Sequence, residues 1–183
     1  MFLLEANIRS IFIEGRLVLN DIYLCCEVGD RIWIRGVNGS GKTTLLKCLD
    51  GSFTYLGRIK KNAETFLIEP TGFFFDFLTL GENLALFGFD PYSINSAKCN
   101  DLFSTFSSGQ KLFEQIKLLA QIKGSVLLVD DCFGYFDDQT LGCILDLLHE
   151  VGCSLIFTSQ DVRVEGFQTK IFEIKDGTLV EVE

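Results

Sequence analysis

The stretch Gly36-Val37-Asn38-Gly39-Ser40-Gly41-Lys42-Thr43-Thr44 decides how the rest of this 183-residue chain is read. It has the form G-x-x-x-x-G-K-[ST], with an apolar run ending at Ile34 before it and Leu45-Leu46-Lys47-Cys48-Leu49 after it. Strand, glycine-rich loop and helix, in that order, make a cradle for phosphate. The glycines let several backbone N–H groups turn toward one anion, and the helix N-terminus adds partial positive charge. Lys42 would then reach the outer phosphates and the Thr43 hydroxyl a magnesium ion, while Gly36, Asn38, Gly39, Ser40, Gly41 and Thr44 complete the cradle. Gly51 closes the following helix. The stretch predicts a nucleoside triphosphate site.

Composition narrows the class around that loop. A chain of this length suits one domain with a real core, expected to span residues 1–183. Apolar residues make up 48% of it, yet charges interrupt every long apolar run, so none reaches the roughly 18 residues of a membrane helix. The start, Met1-Phe2-Leu3-Leu4-Glu5, lacks the charge pattern of a signal peptide. A soluble, cytoplasmic protein is expected. The net charge of −9, with no Lys/Arg cluster, argues against a nucleic-acid partner. Seven cysteines form no C-x-x-C pair and there is one histidine, so a zinc cluster is not expected. The cysteines read as reduced, buried thiols, and His149, on a predicted helix, as a surface residue.

Strand-like pieces are predicted over residues 3–12, 17–24 and 31–35, with turns at Glu14-Gly15 and Gly29-Asp30. Residues 51–62 read as a short strand pair and 66–68 as a buried strand. Thr79-x-x-Glu82 and Ser107-x-x-Gln110 are capping boxes opening two helices, the second running to about Ile122. Residues 125–129 form a continuous apolar run, as in a strand covered on both faces. Leu141, Ile144, Leu145 and Leu148 mark a helix face. A buried strand over 154–157 and a hairpin turning at Asp176-Gly177 close the chain. The alternation predicts an α/β fold with a mostly parallel central sheet behind an antiparallel opening.

The phosphate loop alone leaves several nucleotide-binding classes open. Three further features narrow them. Val126-Leu127-Leu128-Val129-Asp130-Asp131 is an apolar strand ending in two carboxylates, the first suited to Mg²⁺ and the second to orienting a water. Phe106-Ser107-Ser108-Gly109-Gln110-Lys111 stands about twenty residues earlier, and Tyr135-Phe136-Asp137 follows. In order, spacing and content these resemble the LSGGQ signature, Walker B strand and D-loop of ABC ATPases, and the likeness covers essentially the whole chain. It implies a P-loop ATPase with ATP and Mg²⁺ as cofactors, dimerising head to tail with a second ABC-type subunit. Ser107, Gly109 and Gln110 would close the partner's ATP site, and an integral membrane transporter subunit would hold the protein peripherally at the cytoplasmic face. It further implies an aromatic on the adenine, for which Phe12 has the spacing, though a strand-core role fits Phe12 equally.

Departures from that family carry expectations too. Glu69 stands where a glutamine is usual, as in lantibiotic-type exporters, and would assist at the metal and the water. Asp131 replaces the catalytic glutamate and is one methylene shorter; Gln160 replaces the switch histidine and cannot carry positive charge. ATP binding with weak hydrolysis is implied, or a degenerate module that signals by ATP-dependent dimerisation. Residues 88–105 read as a shortened helical subdomain, as in compact haem exporters. Phe73, Phe74, Phe75 and Phe77 fit either a partner surface or a core.

Overall fold

Two strands, β1 (Phe2–Ile13) and β2 (Arg16–Glu27), open the chain as an antiparallel hairpin. Its two turn residues, Glu14 and Gly15, both have positive φ (49° and 78°), as a two-residue turn matched to strand twist requires. Leu4, Ala6 and Ile8 pair across with Cys26, Leu24 and Ile22, all buried on one face. The short strand β3 (Arg31–Arg35) then leads through the glycine-rich loop into helix α1 (Lys42–Asp50). Residues 51–62 hold one strand rather than the expected pair. This is β4 (Leu56–Lys61), which joins the free edge of β1. Gly57 permits that pairing, since a Cβ there would sit 2.4 Å from the Asn7 carbonyl oxygen.

The computed structural model describes residues 1–91 and 98–182. Part of the expected subdomain at 88–105, residues 92–97, lies outside the described residues. Next come β5 (Thr65–Ile68), α2 (Leu80–Leu86), α3 (Ser108–Leu119), β6 (Val126–Asp130), α4 (Asp138–Glu150), β7 (Ser154–Thr158), β8 (Lys170–Lys175) and β9 (Thr178–Val182). The main sheet has the order β5-β6-β7-β3-β8-β9; the first five strands are parallel and β9 returns antiparallel.

Every residue of β6 and β7 is buried, because both faces of the sheet are covered. Val126, Leu128 and Ile156 pack with Leu45, Leu46 and Leu49 of α1 and with the hairpin. Their neighbours Leu127, Val129, Leu155 and Phe157 point the other way, onto Leu112 and Ile116 of α3 and Leu141, Ile144 and Leu148 of α4. Each such fully buried leucine contributes roughly 1.5–3 kcal/mol. The expected α/β architecture with an antiparallel sheet is present, and among the described residues no helix is long and apolar enough to cross a membrane.

Both capping boxes form: Thr79 with Glu82 on α2 and Ser107 with Gln110 on α3. Helix α3 ends at Leu119, short of Ile122, because the chain turns through Gln121 and Ile122 to Gly124 at φ 76°. The phenylalanines divide between the two readings. Phe74 is buried with Leu80, Leu84, Phe103 and Phe106 in a small third core, with Phe73 against it, whereas Phe75 and Phe77 are exposed. The cysteines also depart from expectation in part. All seven are free, and Cys26, Cys48 and Cys132 are buried, but Cys143 is exposed because it sits on α4 away from the Leu141–Ile144–Leu148 face.

Candidate functional site

Four loops leave the C-terminal ends of β3, β5, β6 and β7, and in a parallel sheet that edge is where ligands bind. Register does the fine placement. Asp130 of β6 pairs with Thr158 of β7, and Ile34 of β3 pairs with the same threonine. The phosphate loop, the Asp130-Asp131 pair and the segment from Ser159 to Asp161 therefore meet.

Asp130 is nearly buried (7% exposed) and takes a hydroxyl on each oxygen. Thr43 Oγ1 donates to Oδ2 at 2.7 Å and Thr158 Oγ1 donates to Oδ1 at 2.7 Å. Asp131 adopts φ 49°, a left-handed conformation that Asp tolerates better than most residues. Its N–H is held by both the Thr158 carbonyl (3.1 Å) and the Thr158 hydroxyl (3.0 Å). Its carboxylate accepts from the Gln160 N–H at 3.3 Å, and the Gln160 amide donates to Asn38 Oδ1 at 2.8 Å. Gln160 thus spans from the second carboxylate to the phosphate loop.

Within the loop, Lys42 Nζ donates to the carbonyls of Gly36 (2.8 Å) and Val37 (2.9 Å). Gly39 and Gly41 have φ 79° and 101°. The Ser40 hydroxyl is buried without a hydrogen-bond partner, and a Cβ on Gly36 would lie 2.7 Å from it. An orphaned buried donor beside a lysine ammonium fits an anionic ligand. Thr43 and Asp130 offer one hydroxyl and one carboxylate, a donor set that suits Mg²⁺ sharing its remaining positions with phosphate and water. Among the described residues no cluster of three or more His, Cys, Asp or Glu could hold a metal.

The cleft beside the loop measures about 500 Å³ and is lined by Ile13, Glu14, Arg16, Val18, Gly41, Lys42, Thr43, Asp130 and Asp131, among others. Phe12 is exposed and is not among its lining residues. Successive strand residues face opposite sides, and at the end of β1 it is Ile13 that faces the cleft. Glu69 also differs from expectation: its carboxylate pairs with Lys47 of α1 at 2.9 Å. Lys47 is held more basic by that hydrogen bond, and Asp130 adds to the effect.

A second groove, of about 620 Å³, shares no lining residue with that cleft and is lined by Ser107, Gly109, Gln110, Tyr135, Phe136 and Asp137 with others. Ser107 Oγ accepts from the Gln110 N–H (3.3 Å), and Gln110 Oε1 accepts from the Ser107 N–H (3.1 Å). Gly109 is required at its position because a Cβ would lie 2.7 Å from the Tyr135 carbonyl oxygen. Asp137 caps α4 through Thr140 N–H (2.8 Å), which holds its carboxyl below the usual range.

Thr158, Lys47, Gln115 and Arg163 escaped the sequence reading. Gln115 of α3 is buried, and its Oε1 accepts from the N–H groups of Phe73 (2.5 Å) and Phe74 (3.2 Å), pinning the loop after Glu69. Lys47 stands one helical turn after Thr43, a spacing that could have flagged it.

Residues 19–72 match the family model described as ABC transporter. The macrolide export ATP-binding/permease protein MacB of Vibrio parahaemolyticus is 27% identical over 91% of this chain, which covers 31% of that relative. The chain thus spans about a third of the length of that curated relative. A solved structure of the ATP-binding subunit of an ABC transporter superposes with a TM-score of 0.85 at 20% identity, covering 98% of this chain and 89% of that one. A dimeric structure of the ATP-binding cassette MJ0796 in a post-hydrolysis state with ADP and Pi has a TM-score of 0.79 at 18% identity, with 98% of each chain covered. In motif order, fold and sequence the chain is similar to the ATP-binding domains of ABC transporters.

Proposed function

We propose that the chain is a single ATP-binding and slowly ATP-hydrolysing domain that dimerises on ATP and drives a membrane-embedded exporter. The observation that carries this is the hydrogen-bond chain Asn38–Gln160–Asp131 running beside the triad Thr43–Asp130–Thr158 at the phosphate loop. Lys42, the loop N–H groups and the Ser40 hydroxyl hold the phosphates of ATP. Thr43 and Asp130 hold Mg²⁺, which when bound offsets charge on those phosphates. Asp131 accepts a hydrogen bond from the attacking water and orients it. Gln160 positions Asp131 against the loop and donates without contributing a charge.

Ile13, Arg16 and Val18 border the end of the cleft where a base fits, and exposed Phe12 stands next to Ile13 at the same hairpin end. Glu69 assists through Lys47, which neutralises it, rather than as a free carboxylate. Ser107, Gly109 and Gln110 close the ATP site of a second ABC-type subunit. Exposed Phe75 and Phe77, beside the reduced segment 88–105, suit contact with an integral membrane partner at the cytoplasmic face, as does the export function in the name of MacB. The net charge of −9 argues against a nucleic-acid partner.

Phosphate release at increasing protein concentration tests this reading. Specific activity should rise with concentration and vanish in Lys42→Ala; activity independent of concentration would refute the dimer. The shortened carboxylate at Asp131, with Gln160 tied to Asn38, favours a second reading, a module that signals by dimerising on ATP without turning it over. Tight ATP binding and ATP-dependent dimers without phosphate release would select it.

A further inference from the structure

We infer that Arg163 is a positioning residue that clamps the loop carrying Gln160 to the loop of residues 135–137, so that nucleotide held in one subunit sets the face that closes its partner's site. Arg163 lies in the single turn Val162–Val164, anchored by fully buried Val164. Its guanidinium binds three groups on two separate segments. Nε donates to both oxygens of Asp161 at 3.0 Å, and Nη2 reaches Asp161 Oδ2 at 2.5 Å. Nη2 also donates to the Phe136 carbonyl at 3.0 Å, and Nη1 to Asp138 Oδ1 at 2.6 Å.

Asp161 is itself fixed. Its N–H donates to Ser159 Oγ at 3.0 Å, and its Oδ1 accepts from the Arg163 N–H at 3.0 Å. The next residue back, Gln160, touches Asn38 and Asp131. On the far side, the Tyr135 carbonyl lies against Gly109 at the start of α3. Contacts therefore run without a break from the phosphate loop, through Gln160, Asp161 and Arg163, to the signature. The backbone from Asp131 to Asp138 is a second route, and the two routes close a ring, with Gln160 holding one end and Arg163 the other. The Asp138 contact is at the exposed rim and adds little. The fork on Asp161 and the Phe136 carbonyl carries the geometry, and only a planar guanidinium serves both at once.

The inference rests on the dimeric ATPase reading, and the test separates the two. Full-length wild type, Arg163→Gln and Arg163→Lys are compared by affinity for a fluorescent ATP analogue at monomeric concentration, by sedimentation with ATP and Mg²⁺, and by hydrogen exchange of residues 133–138. The expected result is analogue affinity within about twofold of wild type, but ATP-dependent dimerisation weakened about tenfold, the order of one charge-assisted hydrogen bond. Nucleotide should protect 133–138 in wild type and not in either variant. Arg163→Lys keeps the charge but not the fork, so wild-type behaviour in Arg163→Lys overturns the clamp. An equal exchange response in all three proteins, or a parallel loss of analogue affinity and dimer, also overturns it. Failure of wild type to bind the analogue overturns the underlying ATPase reading instead; binding without protection of 133–138 in wild type overturns this inference alone.

Discussion

Thr158→Val removes one hydroxyl from the centre of the site and little else. Thr158 is fully buried, and its hydroxyl donates to Asp130 Oδ1 at 2.7 Å while accepting from the Asp131 N–H at 3.0 Å. Valine fills nearly the same volume, so no cavity opens. The Asp131 N–H keeps the Thr158 carbonyl at 3.1 Å and is not orphaned. What is lost is a hydrogen bond to a nearly buried carboxylate, about 1.5–3 kcal/mol. Asp130 retains Thr43 on its other oxygen, which argues for the middle of that range, about 2 kcal/mol. In a domain of this size that corresponds to a drop in Tm of about 4–8 °C. Thr158→Ser keeps the hydroxyl and loses one methyl, about 1 kcal/mol. Urea unfolding of the three proteins checks the ranking. A valine cost below about 0.5 kcal/mol, or a serine cost equal to it, would refute the claim that this hydroxyl holds Asp130 in place.

Other outcomes follow from single features. Lys47 and Glu69, 2.9 Å apart and each about one-third exposed, should couple by about 0.5 kcal/mol in a Lys47→Met, Glu69→Gln double-mutant cycle on unfolding free energy; a coupling near zero means the pair is not formed in solution. Removing Lys47 alone also leaves negative charge near Asp130 and should tighten Mn²⁺ binding, an effect absent in the double variant. A thiol reagent at neutral pH should label Cys143 in the folded protein and spare Cys26, Cys48 and Cys132, whose thiols burial pushes up, that of Cys26 to about 12; mass mapping with fast label at Cys132 would contradict the buried core behind Asp130. The Asp161 carboxyl is held below its usual value by hydrogen bonds from Arg163. Its contribution is therefore fully present above pH ~4 and lost as pH falls through the folded value. The stability gap between wild type and Arg163→Gln should hold from pH 7 to about 4 and shrink below; a gap that widens on acidification would reverse the assignment.

What the sequence made legible was whatever local chemistry dictates. The loop from Gly36 to Thr44, the capping boxes at Thr79 and Ser107, the all-apolar β6 and the Asp176-Gly177 turn each follow from backbone geometry or period. Side-chain partners set by tertiary register were not legible. Thr158 faces Asp130 only because β6 and β7 pair in that register. Lys47 meets Glu69 because α1 packs beside the end of β5. Arg163 reaches Phe136 across 27 residues of chain. Phe12, the aromatic that spacing suggested, is exposed at the end of β1 beside Ile13, which lines the cleft. The strand pair expected in 51–62 failed because the partner of β4 was the distant β1.

The central claim is that Ser107 and Gly109 of one subunit complete the ATP site built on Lys42 of another. Mixing Lys42→Ala with Ser107→Phe in ATP and Mg²⁺, followed by sedimentation, tests it most directly. Each variant alone should remain monomeric. The mixture should form a heterodimer, because the intact phosphate loop of the Ser107→Phe subunit meets the intact signature of the Lys42→Ala subunit. A mixture no more dimeric than its components, or dimers in either variant alone, would contradict the head-to-tail composite site.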